Sequence, residues 1–252
     1  MSLKTKLKNN SLTIGSWLTI GHTSIIEIMA TAGFDWLTID MEHSAITLDK
    51  AQELILAIQS KDMDALVRVG KNDELIIKQV MDAGADGVIV PMVCSKDDAE
   101  RAVASVKYPP FGKRGVGLAR AQNYGIGFNE YKEWLNNDSI VIAQIEHKKA
   151  VGNIEEIISV DGIDGIIIGP YDMSASFGIP GELDSPILLK AIKKVEIACK
   201  SSNFPLGFHV IEPEHKDLQE KVKLGYSFIA FSLDFFFLGK KARAEMEEIH
   251  HG

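Results

Sequence analysis

The chain has 252 residues, 46% hydrophobic and 25% charged, which suits one (β/α)8 barrel with a large core and is short for two full α/β domains. A net charge of −8, from 35 acidic and 27 basic residues, argues against a nucleic-acid binder, which would carry a basic patch or stripe. No apolar run approaches the ~20 residues of a membrane span, and two cysteines, Cys94 and Cys199, make no disulfide framework.

Met1 to Asn10 is lysine-rich with no apolar stretch after it, so it does not read as a secretory signal. Two well-separated thiols then point to a reducing, cytoplasmic setting. Eight short runs rich in Ile and Val follow: Thr13–Ile20, Trp36–Met41, Ala65–Val69, Gly87–Met92, Ile140–Glu146, Gly165–Gly169, Pro205–Val210 and Phe228–Leu233. Nearly continuous apolar runs of this length are the mark of parallel strands buried on both faces. Between them lie helical patterns at Ser24–Thr31, Leu48–Ser60, Asp73–Asp82, Lys96–Val106, Lys149–Ile158, Ile187–Cys199 and Glu214–Lys223. Gly33, Gly84 and Gly225 stand where left-handed C-caps belong.

Strand–helix alternation repeated eight times predicts a single (β/α)8 TIM barrel spanning 1–252. The rival, a doubly wound open sheet, would be favoured by a Gly-x-Gly-x-x-Gly turn after the first strand, and none is present. Two connections are long, from about Cys94 to Ser139 and from Tyr171 to Ser185. Long loops in a compact domain tend to be functional.

Barrel active sites sit at the C-terminal ends of the strands, and polar groups collect there. The second run ends in Asp40-Met41-Glu42-His43. Arg68, Gln144, Glu146, Asp172, His209 and Asp234 mark later strands or their ends. Charged groups are unwelcome inside strands unless paired or ligated. Glu146 and Asp172 end adjacent strands, so both carboxylates can serve one site. Hard oxygen donors without Cys or His suit a divalent metal, Mg²⁺, Mn²⁺ or Co²⁺, rather than structural zinc. Such an ion polarises a keto oxygen and stabilises an enolate. Histidine is the residue type whose unperturbed pKa lies near neutrality, which makes His43 the candidate base; Asp40 is placed to orient it, and Arg68 to stabilise an oxyanion. Glu42 reads as support for a bound water or the adjacent backbone. None of the eight runs contains the lysine that a Schiff-base aldolase needs.

These stretches resemble the HpcH/HpaI aldolase family, which includes 4-hydroxy-2-oxoheptanedioate aldolase and the 2-dehydro-3-deoxyglucarate aldolases. The resemblance is carried by Gly15-Ser16-Trp17-Leu18, by Phe34 to His43, by Tyr108-Pro109-Pro110-Phe111-Gly112-Lys113-Arg114-Gly115-Val116-Gly117, by Gln144-Ile145-Glu146 and by Gly165 to Ser174. It implies a phosphoenolpyruvate/pyruvate-type barrel and a class II aldolase, which joins or splits pyruvate and an aldehyde at a 4-hydroxy-2-keto acid.

In that light His43 matches the proton acceptor, Arg68 the transition-state stabiliser, Asp40 the partner of the base, and Glu146 and Asp172 the metal ligands. Gln144 matches a pyruvate contact, and the backbone at Tyr171 and Asp172 matches a carboxylate-binding turn. Asp82 matches an acid that reaches the base of a neighbouring subunit. The family's homo-hexamers, trimers of dimers with exchanged C-terminal helices, imply the same for the segment of about 235–249.

There are departures. Met41 stands where glycine is frequent and Tyr171 where alanine is frequent. His209 stands where aldolases acting on hydroxy-dioic acids carry an apolar residue, so it is placed to read a hydroxyl or acid on the aldehyde. Other enolate reactions (acyl lysis, decarboxylation, phosphoenolpyruvate chemistry) and a non-catalytic keto-acid-binding role are the alternatives.

Overall fold

A computed structural model describes residues 1–251, the last by its backbone alone. Eight parallel strands close into a barrel in sequence order: β1 Thr13–Leu18, β2 Trp36–Asp40, β3 Asp64–Arg68, β4 Gly87–Val90, β5 Ile140–Ile145, β6 Gly165–Ile168, β7 Leu206–Val210 and β8 Phe228–Leu233. All eight expected strands form. The helices are α1 Leu3–Lys8, α2 Thr23–Ala30, α3 Leu48–Gln59, α4 Glu74–Asp82, α5 Lys96–Val106, α6 Phe128–Asn137, α7 Lys148–Gly152, α8 Ile154–Ile158, α9 Pro170–Ser176, α10 Pro186–Ser201, α11 His215–Lys223 and α12 Asp234–His251. Gly33, Gly84 and Gly225 have φ of 80°, 96° and 85°, the left-handed caps expected of them. Among the described residues no helix is long and apolar enough to cross a membrane.

Both expected long connections contain helices. The first holds α5, a 3-10 turn at Arg120–Gly125 and α6, whose buried Tyr131 and Leu135 share one face at i, i+4 spacing. The second opens with α9. The helix expected over Lys149–Ile158 is two pieces, because Asn153 leaves helical geometry at φ −106°, ψ 17°. Its side chain instead donates to the carbonyl of Cys94 at 2.8 Å.

Side chains alternate across a strand, and the register aligns the alternation around the barrel. Trp36 pairs with Gly15, Thr38 with Trp17 and Leu66, and Asp40 with Arg68. Arg68 pairs with Ile89, and Ile89 with Ile142. Gln144 pairs with Ile167, and Ile167 with Gly207. The columns Trp36–Thr38–Asp40 and Ile140–Ile142–Gln144–Glu146 are therefore apolar at the bottom and charged or polar at the top. The lower layers hold Trp36, Leu66, Ile89, Ile140, Ile142, Ile167 and Phe228 in one cluster. Gly15 is required there: a Cβ would lie 2.0 Å from the Trp36 ring, which stacks on Phe228 at 4.4 Å between centroids.

The first ten residues have a structural task that the sequence did not reveal. Helix α1 closes the bottom of the barrel, with Leu3 and Leu7 joining the interior cluster. Lys4 pairs with Asp164 at 2.5 Å and Lys6 with Asp35 at 2.6 Å. Asp35 and Asp164 also accept the backbone N–H of Ile14 and of Val141, and Asp86 that of Ala65. Three acids placed just before even-numbered strands thus each tie down the start of the preceding strand.

Candidate active site

The upper end of the barrel opens on a 220 Å³ cavity whose lining includes Trp17, Asp40, His43, Arg68, Gln144, Tyr171, Asp172 and His209. The structure thus gathers at one mouth seven residues selected from the sequence. Glu146 stands beside them, accepting from the Gln144 side-chain amide.

Asp40 is the most connected. Its Oδ1 accepts from Arg68 Nε at 2.9 Å, and its Oδ2 from Arg68 Nη2 at 2.5 Å. Oδ1 also accepts the backbone N–H groups of Glu42 at 2.9 Å and His43 at 3.1 Å. Burial alone would raise the pKa of Asp40. The Arg68 hydrogen bond and charge, with the two backbone donors, outweigh it and hold the carboxyl below its ordinary value.

The expected Asp40–His43 link is thereby refined. Asp40 shapes the turn that carries His43 and does not touch its imidazole. The ring's Nε2 lies 3.8 Å from Glu42 Oε2, and the His43 side chain is 59% exposed. Glu42 Oε2 also lies 3.4 Å from Arg68 Nη1, so Glu42 sits between imidazole and guanidinium. The Arg68 guanidinium also stacks on Trp17, whose ring centroid is 4.4 Å from the guanidinium carbon, a cation–π contact. Residue-type reasoning had left Trp17 out: an indole at the fifth residue of a strand reads as core.

Glu146 is 3% exposed. Its Oε1 accepts the Met92 backbone N–H at 2.7 Å. Burial pushes its pKa up to about 7, and the charges of Glu42 and Asp172 add to the rise. Burial likewise lifts Glu42 to about 7, with Asp40 and Asp172 contributing. The negative charges of Glu42 and Asp172 thus bear on the buried Glu146, a repulsion that a hard cation would relieve. Gly169 leaves room for one, since a Cβ there would lie 3.2 Å from Glu146 Oε2. Asp172 stands exposed in the first turn of α9. Among the described residues no three His, Cys, Asp or Glu side chains form a ready-made metal cage. A pair of carboxylates with open positions is the donor set of a Mg²⁺-type ion that keeps its waters, and Glu146 with Asp172 fits it.

His209 is packed against the Trp17 ring, 5.2 Å between centroids. Burial, then the neighbouring Arg68 charge, lowers its pKa to about 3, so the ring is neutral. Tyr171 is 50% exposed at the rim.

Two other selected groups lie elsewhere. Asp82, at the end of α4, is not brought to this mouth. It pairs with the buried Arg114 at 2.7 Å, and Arg114 also donates to Tyr131 Oη at 2.9 Å. Asp234 uses both oxygens on the loop after β1, accepting from Thr19 N, Thr19 Oγ1 and Ile20 N at 2.8 Å each. It closes the seam between the first and last strands.

Comparison with known proteins agrees with this geometry. The family model described as HpcH/HpaI aldolase/citrate lyase matches residues 13–239. The chain is 37% identical over 246 residues to a hydroxypyruvate/pyruvate aldolase of Sagittula stellata, covering 97% of this chain and 96% of that one. It is 35% identical over 237 residues to a 2-keto-3-deoxy-L-rhamnonate aldolase of Escherichia coli, covering 92% and 86%. A crystal structure of an HpcH/HpaI aldolase/citrate lyase family protein from Burkholderia cenocepacia superposes with a TM-score of 0.93 at 30% identity, covering 98% of each chain. A match of this extent, on a barrel whose charged groups meet at one mouth, means that the chain belongs to the HpcH/HpaI aldolase/citrate lyase family.

Proposed function

We propose that this barrel is a divalent-metal-dependent aldolase that cleaves a 4-hydroxy-2-keto acid to pyruvate, or a close analogue of it, and an aldehyde. The observation that carries the reading is the convergence of an accessible imidazole, a doubly held guanidinium and two oxygen-donor carboxylates on one cavity. The similarity to aldolases named for hydroxypyruvate, pyruvate and 2-keto-3-deoxy-L-rhamnonate supports the substrate class.

Glu146 and Asp172 would hold the cation, Mg²⁺, Mn²⁺ or Co²⁺, which would supply Lewis-acid polarisation of the keto acid. Gln144 orients the keto acid. The backbone N–H groups of Tyr171 and Asp172, in the first turn of α9, have no partner inside the helix and take the substrate carboxylate. His43 removes the proton of the 4-hydroxyl, directly or through a water, with Glu42 beside it to favour the imidazolium that results. The C3–C4 bond then breaks, its electron pair passing into the enolate of the keto acid. Arg68, fixed by Asp40, stabilises the developing oxyanion. Protonation of the enolate at C3 gives the second product.

Asp82 and α12 belong to the assembled protein in this reading. Asp82 points its remaining oxygen toward the Gly117 segment and serves the His43 of a neighbouring subunit. In α12, Leu238, Met246 and Ile249 are exposed, which supports exchange of this helix within a homo-oligomer, a trimer of dimers.

The test is pyruvate release from a panel of 4-hydroxy-2-keto acids, with EDTA and with Mg²⁺, Mn²⁺ or Co²⁺ restored. Release that EDTA abolishes and a metal restores is the expected result. Release untouched by EDTA would remove the metal from the reaction. No release from any member would move the assignment to another enolate reaction, such as acyl lysis or decarboxylation, or to keto-acid binding alone.

A further inference from the structure

Three buried polar atoms on residues that line the 220 Å³ cavity have no hydrogen-bond partner within the protein: Trp17 Nε1, Gln144 Oε1 and His209 Nε2. Leaving such a bond unmade costs free energy, and native proteins carry few such atoms. All three belong to residues of one cavity wall, where a polar guest would give them partners. Gln144 belongs with the keto acid. Trp17 and His209 are left over, on β1 and β7, with their rings in contact at 5.2 Å.

Their chemistry narrows what they can take. An indole N–H only donates, while a neutral imidazole has one donor and one acceptor nitrogen. A hydroxyl is donor and acceptor at once and can satisfy both. A carboxylate offers acceptors only and would need a cation. Among the described residues, Arg68 is the one lysine or arginine lining this cavity, and in the proposed reaction it serves the developing oxyanion. The neutral state of His209, lowered by burial and Arg68, is consistent with the same choice.

The backbone adds a second observation. The β1–β8 register shifts between Gly15 and Trp17, and Ser232 within β8 has φ 55°. A non-glycine residue in that region costs energy and persists where the surroundings enforce it. Here the Ser232 carbonyl accepts from Ser16 Oγ at 3.1 Å, and the Ser232 backbone lies beside the His209 ring. The bulge thus sits behind both residues and fixes how they face each other.

We infer that Trp17 and His209 form a hydroxyl-reading wall, which makes the enzyme prefer keto acids or aldehydes carrying an extra hydroxyl over their unsubstituted or carboxylated counterparts. The inference rests on the aldolase reading for the identity of the pocket. The hydroxyl can belong to either half of the substrate, on C3 of the donor keto acid or next to the carbonyl of the aldehyde.

Titration calorimetry on the Mn²⁺-loaded protein separates the two. Hydroxypyruvate against 2-oxobutanoate, in which a methyl replaces the hydroxyl, reports the donor side. A 4-hydroxy-2-keto acid with and without a hydroxyl on C5 reports the acceptor side. The wild type is expected to bind the hydroxylated member at least ~10-fold more tightly in one pair. His209→Leu and Trp17→Phe, the second keeping a ring against Arg68, should each bring that ratio to within about threefold, and His209→Gln should restore part of it. Equal binding of both members by the wild type, or a ratio unchanged in both variants, overturns the hydroxyl wall and leaves the aldolase standing. Failure to bind any keto acid overturns both.

Discussion

Arg68 and Asp40 meet through two parallel hydrogen bonds, and the same Asp40 oxygen that takes Arg68 Nε also takes the backbone N–H groups of Glu42 and His43. One carboxylate therefore sets the position of both the guanidinium and the turn that presents the base. A lysine cannot reproduce that fork. Arg68→Lys should lower kcat/KM by roughly 10²- to 10³-fold while leaving Mn²⁺ affinity within a factor of a few, read by steady-state kinetics and calorimetry on the same preparation. Wild-type turnover in this variant would remove Arg68 from the chemistry.

The His43 side chain is exposed, its Nε2 3.8 Å from Glu42, and its bond to Asp40 is made by the backbone, so replacing the ring leaves the scaffold intact. His43→Ala should keep metal binding and cut turnover by roughly 10²- to 10⁴-fold. Full activity in the variant would end its assignment as base.

The proposed role of Asp82 across a subunit boundary is open to complementation. Asp82→Asn and His43→Ala, each weakly active alone, should recover activity when unfolded together and reassembled, because mixed oligomers then contain some intact pairs. Activity no higher than the mean of the two parents would confine Asp82 to its bond with Arg114.

The plug at the bottom is a stability device. Leu7 is fully buried against the lower barrel cluster. Leu7→Ala should destabilise the protein by about 2–5 kcal/mol, seen as a lower urea midpoint. Turnover under native conditions should not change, because the cavity lies at the opposite end.

Asp64, on the lower rim, gives a pH dependence of defined sign. Burial, and then the charge of Asp86, raises its pKa from 3.8 to about 6. The folded protein thus binds the proton more tightly than the unfolded chain, so this group's contribution is fully present below about pH 4 and is lost as pH rises through 6. Asp64→Asn should therefore be more stable than the wild type at pH 7, on the order of 1 kcal/mol after allowing for partial solvent access. The difference should shrink toward pH 4. Urea unfolding at several pH values measures it, and a variant less stable at pH 7 would contradict the burial argument.

All eight strands were legible because a doubly buried parallel strand must be apolar on both faces, and little else in a chain looks like Gly165 to Ile168. Three helices were missed: the short α9, which starts at Pro170 inside a connection read as a loop, and two others for reasons of their own. Helix α1 carries only two apolar residues amid lysines, and their value lies in the barrel bottom that they meet. Helix α6 had its Tyr131 and Leu135 signal, but it lies inside a long glycine-rich connection. In the site, residue type identified the charged groups, since a charge at a strand end needs a reason. It could not distinguish Asp40 bound to the His43 ring from Asp40 bound to the His43 backbone, a matter of rotamer and turn geometry. Nor could it find Trp17, whose place over Arg68 depends on the register between β1 and its neighbours.

The two-residue alternation that stacks Asp40 above Thr38 and Trp36, and Glu146 above Gln144, Ile142 and Ile140, has a further consequence for how such a protein can change. The lower storeys carry the weight of the fold and the upper storey carries the proposed chemistry, yet both are successive positions on the same side of the same strands. A single substitution at 171 or 209 can redirect which partner molecule is accepted while the layers beneath stay filled. An insertion or deletion of one residue within β2 or β5 would do the reverse, turning the carboxylates outward and the outer aliphatics inward in one step. Variation in this molecule is thus open to replacement at the rim and closed to changes of strand length.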